Sequence, residues 1–192
     1  MSKNSEIKTV RLFLGSYVNS DIIYSSLDSE KFEQDLNCSM KFVEKENIHL
    51  TWKFIGDIEQ DKVDKIISTI QEIISSPLNI EVKFQEFEIW PNGRFPRQLV
   101  VTGIDLNSEG IKLYKELNKD LVKFGIDKEK RSFNPHITVA RFRVKEKLKE
   151  SIILPEWFIF KESIIKFSRI DLIQSTLTPK GSIYKSIQSF EI

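Results

Sequence analysis

The sequence predicts an α+β fold of two similar lobes, each an antiparallel sheet with helices, meeting at a cleft. Three observations lead there. The predicted elements run strand–helix–strand–helix–strand–strand, then strand–helix–strand and further strands, with no Gly-rich phosphate loop after any strand. A short pattern, His-x-Thr, occurs twice on predicted strands 87 residues apart, close to half of the 192-residue chain. A long predicted helix lies near each copy. No Pro/Gly/Ser-rich stretch marks a linker, so residues 1–192 are expected to form one domain of two lobes.

Taken in order, Val10 to Gly15 reads as a first strand and Asp21 to Leu36 as an amphipathic helix. Met40 to Val43 is a short strand, followed by the first His-x-Thr strand, Asn47 to Gly56. Asp61 to Ser75 places Val63, Ile66, Ile67, Ile70, Ile73 and Ile74 at helical spacing, and Pro77 closes that helix. Ile80 to Ile89 alternates apolar and polar residues, with a slip near Gln85. Trp90 to Arg97 is a turn rich in Pro, Gly and Arg leading into a strand from Gln98 to Ile104. Asn107 or Ser108 is placed to cap a second long helix, with Leu113, Leu117, Leu121 and Phe124 inward and Gly125 just past its end. The second His-x-Thr strand follows, then a short charged helix near Lys145 to Ser151. Two final strands, Ile164 to Ser175 and Ser182 to Ile192, complete the chain.

Composition narrows the class of function. Forty per cent apolar content, with fourteen Phe and three Trp, belongs to an ordinary folded protein. A formal net charge of +1 argues against wide, sequence-independent binding to a nucleic-acid backbone, though not against a small site for one RNA end. Cys38 is the single cysteine, so no intrachain disulfide forms, and its neighbours Leu36-Asn37-Cys38-Ser39-Met40 carry no activating signature. Met1 to Lys8 is polar and lacks an apolar signal region, and the longest apolar candidate, Ile152 to Phe160, is interrupted by Pro155 and Glu156. The expectation is a cytoplasmic protein with no membrane segment and no obligate protein partner.

The chemistry rests on the duplicated pattern. The only two histidines open His49-Leu50-Thr51 and His136-Ile137-Thr138. With seven threonines in the chain, a given histidine has Thr two places on with a chance of roughly 1 in 30. On a strand, residues i and i+2 share a face. Ile48, Leu50, Trp52 and Phe54 therefore alternate with His49, Thr51 and Lys53, while Ile137 and Val139 alternate with His136, Thr138 and Ala140. Each strand shows an imidazole and a hydroxyl on its less apolar face. An imidazole exchanges a proton near neutral pH, and a threonine hydroxyl donates to an anionic oxygen. Two facing pairs would surround a phosphate with an acid, a base and two oxygen anchors. Arg131, Arg141 and Arg143 flank the second copy, and any of them is a candidate phosphate ligand; Arg11 and Arg97 are lesser ones. Catalytic zinc usually takes three protein ligands, and with two histidines and an unrelated cysteine no metal or other cofactor is expected. A Ser-His-Asp triad lacks its Gly-x-Ser-x-Gly elbow. The plainer alternative is that each histidine is a satisfied half-buried strand residue.

The same residues resemble a known family. His49-Leu50-Thr51-Trp52 and His136-Ile137-Thr138-Val139 look like the paired H-x-T/S-x motifs of the two-histidine phosphoesterase superfamily. The segments VRLFLG, NIHLTWKFIGDI, WPNGRFPRQLVVTGI, RSFNPHITVARFR and IDLIQSTLTPKGSIYKSIQSFEI resemble, in order, the bacterial RNA 2′,3′-cyclic phosphodiesterase (ThpR/LigT) family over nearly the whole chain. Two departures stand out. Trp52 takes the place of a small aliphatic residue, and Gly15-Ser16 that of an Ala-Leu-type pair. The resemblance implies a bilobal two-histidine phosphoesterase-like fold and a metal-independent enzyme that opens a terminal 2′,3′-cyclic phosphate to a 2′-phosphomonoester. It implies His49 as proton donor, His136 as proton acceptor, and Thr51 and Thr138 as oxygen anchors, with RNA ends or small cyclic nucleotides as substrate. The residues alone leave open which histidine does which. The resemblance also suggests reversible 2′–5′ RNA ligation. Alternatives are a 2′–5′ oligonucleotide phosphodiesterase, a small cyclic-phosphate hydrolase, or a module that grips RNA ends without turnover.

Overall fold

A computed structural model of the chain describes residues 8–25, 27–36, 38–144, 146–179 and 181–192. The polar amino terminus up to Ile7 lies outside the described residues, as do Ser26, Asn37, Lys145 and Lys180. The strands are β1 (Thr9–Tyr17), β2 (Met40–Phe42), β3 (His49–Glu59), β4 (Ile80–Trp90), β5 (Gln98–Asp105), β6 (His136–Phe142), β7 (Ser163–Phe167), β8 (Arg169–Thr178) and β9 (Gly181–Glu191). The helices are α1 (Asp21–Tyr24), α2 (Ser29–Leu36), α3 (Val63–Ile73) and α4 (Glu109–Asp120). No described helix is long and apolar enough to cross a membrane.

All nine strands belong to one antiparallel sheet in the order β7-β4-β5-β6-β3-β1-β8-β9, with β2 pairing β6. The predicted lobes are the two halves of that sheet. β7, β4, β5 and β6 form one half, and β3, β1, β8 and β9 the other. The halves meet at a single paired position, Leu50 with Ile137. The two His-bearing strands are thus the inner strands of the halves, side by side at the seam. The apolar face of β3 packs on α4, which also lies against α3, β4 and β5. Ile66 and Ile70 of α3 and Leu113 and Leu117 of α4 are fully buried at the helical spacing that predicted them.

Four elements differ from expectation, each for a physical reason. The helix expected over Asp21 to Leu36 is two helices. Asp28 accepts a hydrogen bond from the Lys31 amide at 3.0 Å, and this N-cap starts α2 afresh. Residues 146–151 are not helical: the Leu148 amide donates to the Arg94 carbonyl at 2.7 Å, tying this charged segment to the Pro-rich turn. The strand expected over Ile164 to Ser175 breaks at Ser168. β7 pairs β4 at one edge of the sheet, whereas β8 pairs β1 in the other half, although the apolar content runs on without interruption. Finally, of the two expected caps of α4 Asn107 acts and Ser108 does not, and Asp105, outside the expected pair, adds a second. Asp105 Oδ2 accepts the Ile111 amide at 2.8 Å, and Asn107 Oδ1 accepts that of Glu109 at 3.3 Å. The slip at Gln85 is a real bulge, because the β4–β5 register steps between Phe84 and Glu86.

Candidate active site

The site is built from one register. Directly opposed residues of an antiparallel pair point to the same face. Leu50 and Ile137 are opposed and buried. One residue to either side, the register sets His49 across from Thr138 and Thr51 across from His136, on the opposite, open face. Each imidazole therefore lies beside the hydroxyl of the other motif.

Both strands then bulge at the third residue after the histidine. Against β1 the extra residue is Trp52, and against β5 it is Val139. Over seven residues from each histidine the burial patterns coincide: half-buried, buried, half-buried, buried, buried, exposed, buried. A bulge shifts the parity of everything beyond it. Arg141 consequently returns to the face of His136 and Thr138. On the other strand the same shift reverses the alternation expected there. Phe54 is 61% exposed on the histidine face, and Lys53 is buried on the core side, 2% exposed. The Lys53 ammonium donates to Asn118 Oδ1 at 2.9 Å and to the Asp127 carbonyl at 2.6 Å.

The two imidazoles are held alike. His49 Nδ1 lies 2.6 Å from the Asn47 carbonyl, and His136 Nδ1 lies 2.9 Å from the Asn134 carbonyl. A carbonyl oxygen only accepts, so Nδ1 carries hydrogen in both rings and Nε2 is left for chemistry. Burial pushes both pKa values below the ordinary 6.5, and the carbonyl contacts only partly oppose it. Arg141 and then His136 lower His49 further, and Arg131 lowers His136 further. The His49 ring is enclosed by Phe13 (5.0 Å between centroids), Tyr184 (5.4 Å) and Tyr17 (6.4 Å); Trp90 leans on His136 at 4.7 Å.

Of the predicted residues, the fold brings His49, Thr51, His136, Thr138 and Arg141 to one face, and Arg131 within electrostatic reach of His136. The Arg131 carbonyl is fixed by the Tyr114 hydroxyl of α4 at 3.0 Å. Arg143 lies elsewhere, lining a hollow with Cys38 and Leu148. Arg11 pairs with Asp57 at 3.9 Å on the surface, and Arg97 stacks over Phe95. Burial and the nearby Glu33 push the Cys38 thiol upward, away from thiolate. No group of three His, Cys, Asp or Glu side chains among the described residues is arranged to hold a metal.

The aromatic enclosure and Phe54 were missed from sequence, because the enclosure is assembled from several strands and Phe54 depends on a bulge. One signal was present: both motifs carry Asn two residues before the histidine, as Asn47-Ile48-His49 and Asn134-Pro135-His136. The two departures from the family pattern prove to be one coupled change. Trp52 Nε1 donates to Ser16 Oγ at 2.9 Å, and Ser16 Oγ donates on to the Arg169 carbonyl at 2.6 Å. Gly110 of α4 makes room for the indole; a Cβ there would lie 3.1 Å from Trp52 Cζ3.

The family model described as "LigT like Phosphoesterase" matches residues 29–101 and 105–184, with one His-Thr pair in each stretch. The chain is 29% identical over 189 residues to a protein of Aquifex aeolicus called "RNA 2′,3′-cyclic phosphodiesterase", covering 96% of this chain and 98% of that one. It is 31% identical over 185 residues to a protein of the same name from Methanocaldococcus jannaschii, covering 94% and 100%. In fold it is similar to the TT0787 protein of Thermus thermophilus (TM-score 0.72, 17% identity, 94% and 97% covered). It is also similar to E. coli LigT complexed with phosphate (TM-score 0.66, 15% identity, 96% and 98% covered). The paired motifs, the seam that joins them and these matches together place the chain in the LigT-like phosphoesterase family of the two-histidine superfamily.

Proposed function

We propose that this protein hydrolyses RNA-terminal 2′,3′-cyclic phosphate to a 2′-phosphomonoester, with its two histidines as acid and base and without a metal. The observation that carries this reading is the crossed arrangement at the seam: two imidazoles, each tied at Nδ1 and offering Nε2, each beside the other motif's threonine. The names of the full-length relatives supply the substrate class. In the step, His136 Nε2 takes a proton from water as the water oxygen bonds to phosphorus. The P–O3′ bond breaks, and His49 Nε2–H gives its proton to the departing O3′. Thr51 and Thr138 donate to the non-bridging oxygens, and Arg141 and Arg131 offset the charge that builds on them. Turnover leaves the proton on the wrong histidine, and exchange with solvent resets the pair. An RNA 5′-hydroxyl in place of water would give a 2′–5′ linkage by the same transfers.

The test is product analysis on an RNA bearing a 2′,3′-cyclic phosphate, with EDTA present and small cyclic nucleotides as competitors. The 2′-phosphate is expected, undiminished by chelator. A 3′-phosphate, or activity abolished by EDTA and restored by zinc, would overturn the mechanism. Tight binding without turnover would leave only an RNA-end-binding module.

A further inference from the structure

β2 breaks the symmetry of the two halves. It pairs with β6 beyond the seam, and among the described residues no strand flanks β3 in the matching place. In register, Lys41 of β2 lies opposite Arg141, and Gln98 of β5 lies opposite Arg141 on its other side. All three therefore share the face of His136 and Thr138, in a row across neighbouring strands spaced about 4.8 Å apart. The position equivalent to Arg141 on the other half is Phe54, so where one half presents a guanidinium beside Lys41 and Gln98 the other presents an aromatic ring.

The same end is roofed. The β8–β9 hairpin reaches over the histidine face, with Tyr184 perpendicular to His49 at 5.4 Å. Its Gly181, whose φ of +137° favours glycine, sits against the Lys41 ammonium; a Cβ there would lie 2.5 Å from Lys41 Nζ. Lys41 Nζ pairs with Glu44 at 2.8 Å. The hairpin thus reaches from His49, at Tyr184, to Lys41, at Gly181.

We infer that Lys41 forms a subsite for the phosphate one nucleotide upstream of the cyclic end, so that an RNA oligomer is the preferred substrate over a lone cyclic nucleotide. This rests on the phosphodiesterase reading. One strand spacing beyond Arg141, about 4.8 Å between backbones, exceeds the axial rise of about 3.4 Å per nucleotide of a stacked strand, so the long Lys41 side chain is placed to reach the next phosphate. Phosphate and the Glu44 carboxylate compete for the same ammonium, which makes Glu44 a brake on the subsite.

The experiment compares a 2′,3′-cyclic mononucleotide with a trinucleotide ending in 2′,3′-cyclic phosphate, following both turnover and binding of the corresponding 2′-phosphate products. Lys41→Ala is expected to raise KM and Kd for the trinucleotide about 3- to 10-fold. It should also lower the slope of log KM against log salt by about 0.7. Mononucleotide kinetics and kcat stay unchanged. Lys41→Arg restores the trinucleotide KM, and Glu44→Gln lowers it. The proposal is overturned if Lys41→Ala leaves the trinucleotide KM and Kd unchanged, or raises them equally for both ligands. Absence of turnover with the length-dependent Kd intact would overturn the phosphodiesterase reading and spare the subsite.

Discussion

Removing the Ser16 hydroxyl should orphan the indole N–H of a residue on the catalytic strand. Trp52 is 1% exposed and Ser16 equally buried, so water cannot replace the lost acceptor. A buried donor left without a partner costs about 1–3 kcal/mol. Ser16→Ala also strips the Arg169 carbonyl of its 2.6 Å donor, so about 2 kcal/mol is expected. For a chain of this length that corresponds to a fall in Tm of roughly 4–8 °C. Trp52→Leu should cost about 2–4 kcal/mol by leaving a cavity between Phe133, Phe167 and Gly110. The double variant has no indole to orphan, so its loss should fall short of the sum by about 1–2 kcal/mol. Urea denaturation of the four proteins measures this cycle. Additivity within about 0.5 kcal/mol would refute the claim that the two departures from the family pattern are one coupled change.

Other consequences concern charge and pH. Each turnover needs one charged and one neutral imidazole, and both pKa values are held below 6.5 by burial. The kcat/KM profile should therefore be a bell centred on the acid side of about 6.5, and an optimum above pH 8 would contradict this. The same shifts act on stability. The unfolded chain binds more protons than the folded one between the depressed folded values and about 6.5, so stability rises with pH across that window and is lost below it. Replacing both histidines with Gln should flatten that slope in denaturation curves taken from pH 5 to 7. Arg141→Ala should cost roughly 10²-fold in kcat/KM, whereas Arg143→Ala should change it less than about 2-fold; equal effects would refute the placement of Arg143, past the end of β6, away from the histidine face. Lys53→Ala, which leaves Asn118 Oδ1 and the Asp127 carbonyl without their ammonium, should lower stability by about 2–4 kcal/mol on urea titration.

What could be read from sequence follows what is local. Period-two alternation located both motif strands, helical spacing located α3 and α4, and the slip at Gln85 announced its own bulge. Pairing across the seam was not local. Nothing in Ile164 to Ser175 shows that the chain leaves β4 at Ser168 and crosses to β1, because both segments are apolar on one face. Bulges at Trp52 and Val139 are similarly silent in composition, yet they put Phe54 and Arg141 on the working face and Lys53 in the core. Three arginines near the second motif were equivalent as letters, and the end of β6 at Phe142 separated Arg141, on the strand, from Arg143, which turns away into another hollow. The aromatic enclosure of His49 joins β1 to β9 and is a product of the folded hairpin.

The interdependence of the two imidazoles is tested most directly by single and double replacement on RNA ending in 2′,3′-cyclic phosphate. His49→Ala and His136→Ala should each lower kcat by roughly 10²–10⁴, with the urea midpoint little changed. The double variant should be about as slow as the slower single one, because an acid without its base gains little. Near-normal hydrolysis by either single variant, in protein of verified purity, would contradict the two-histidine mechanism.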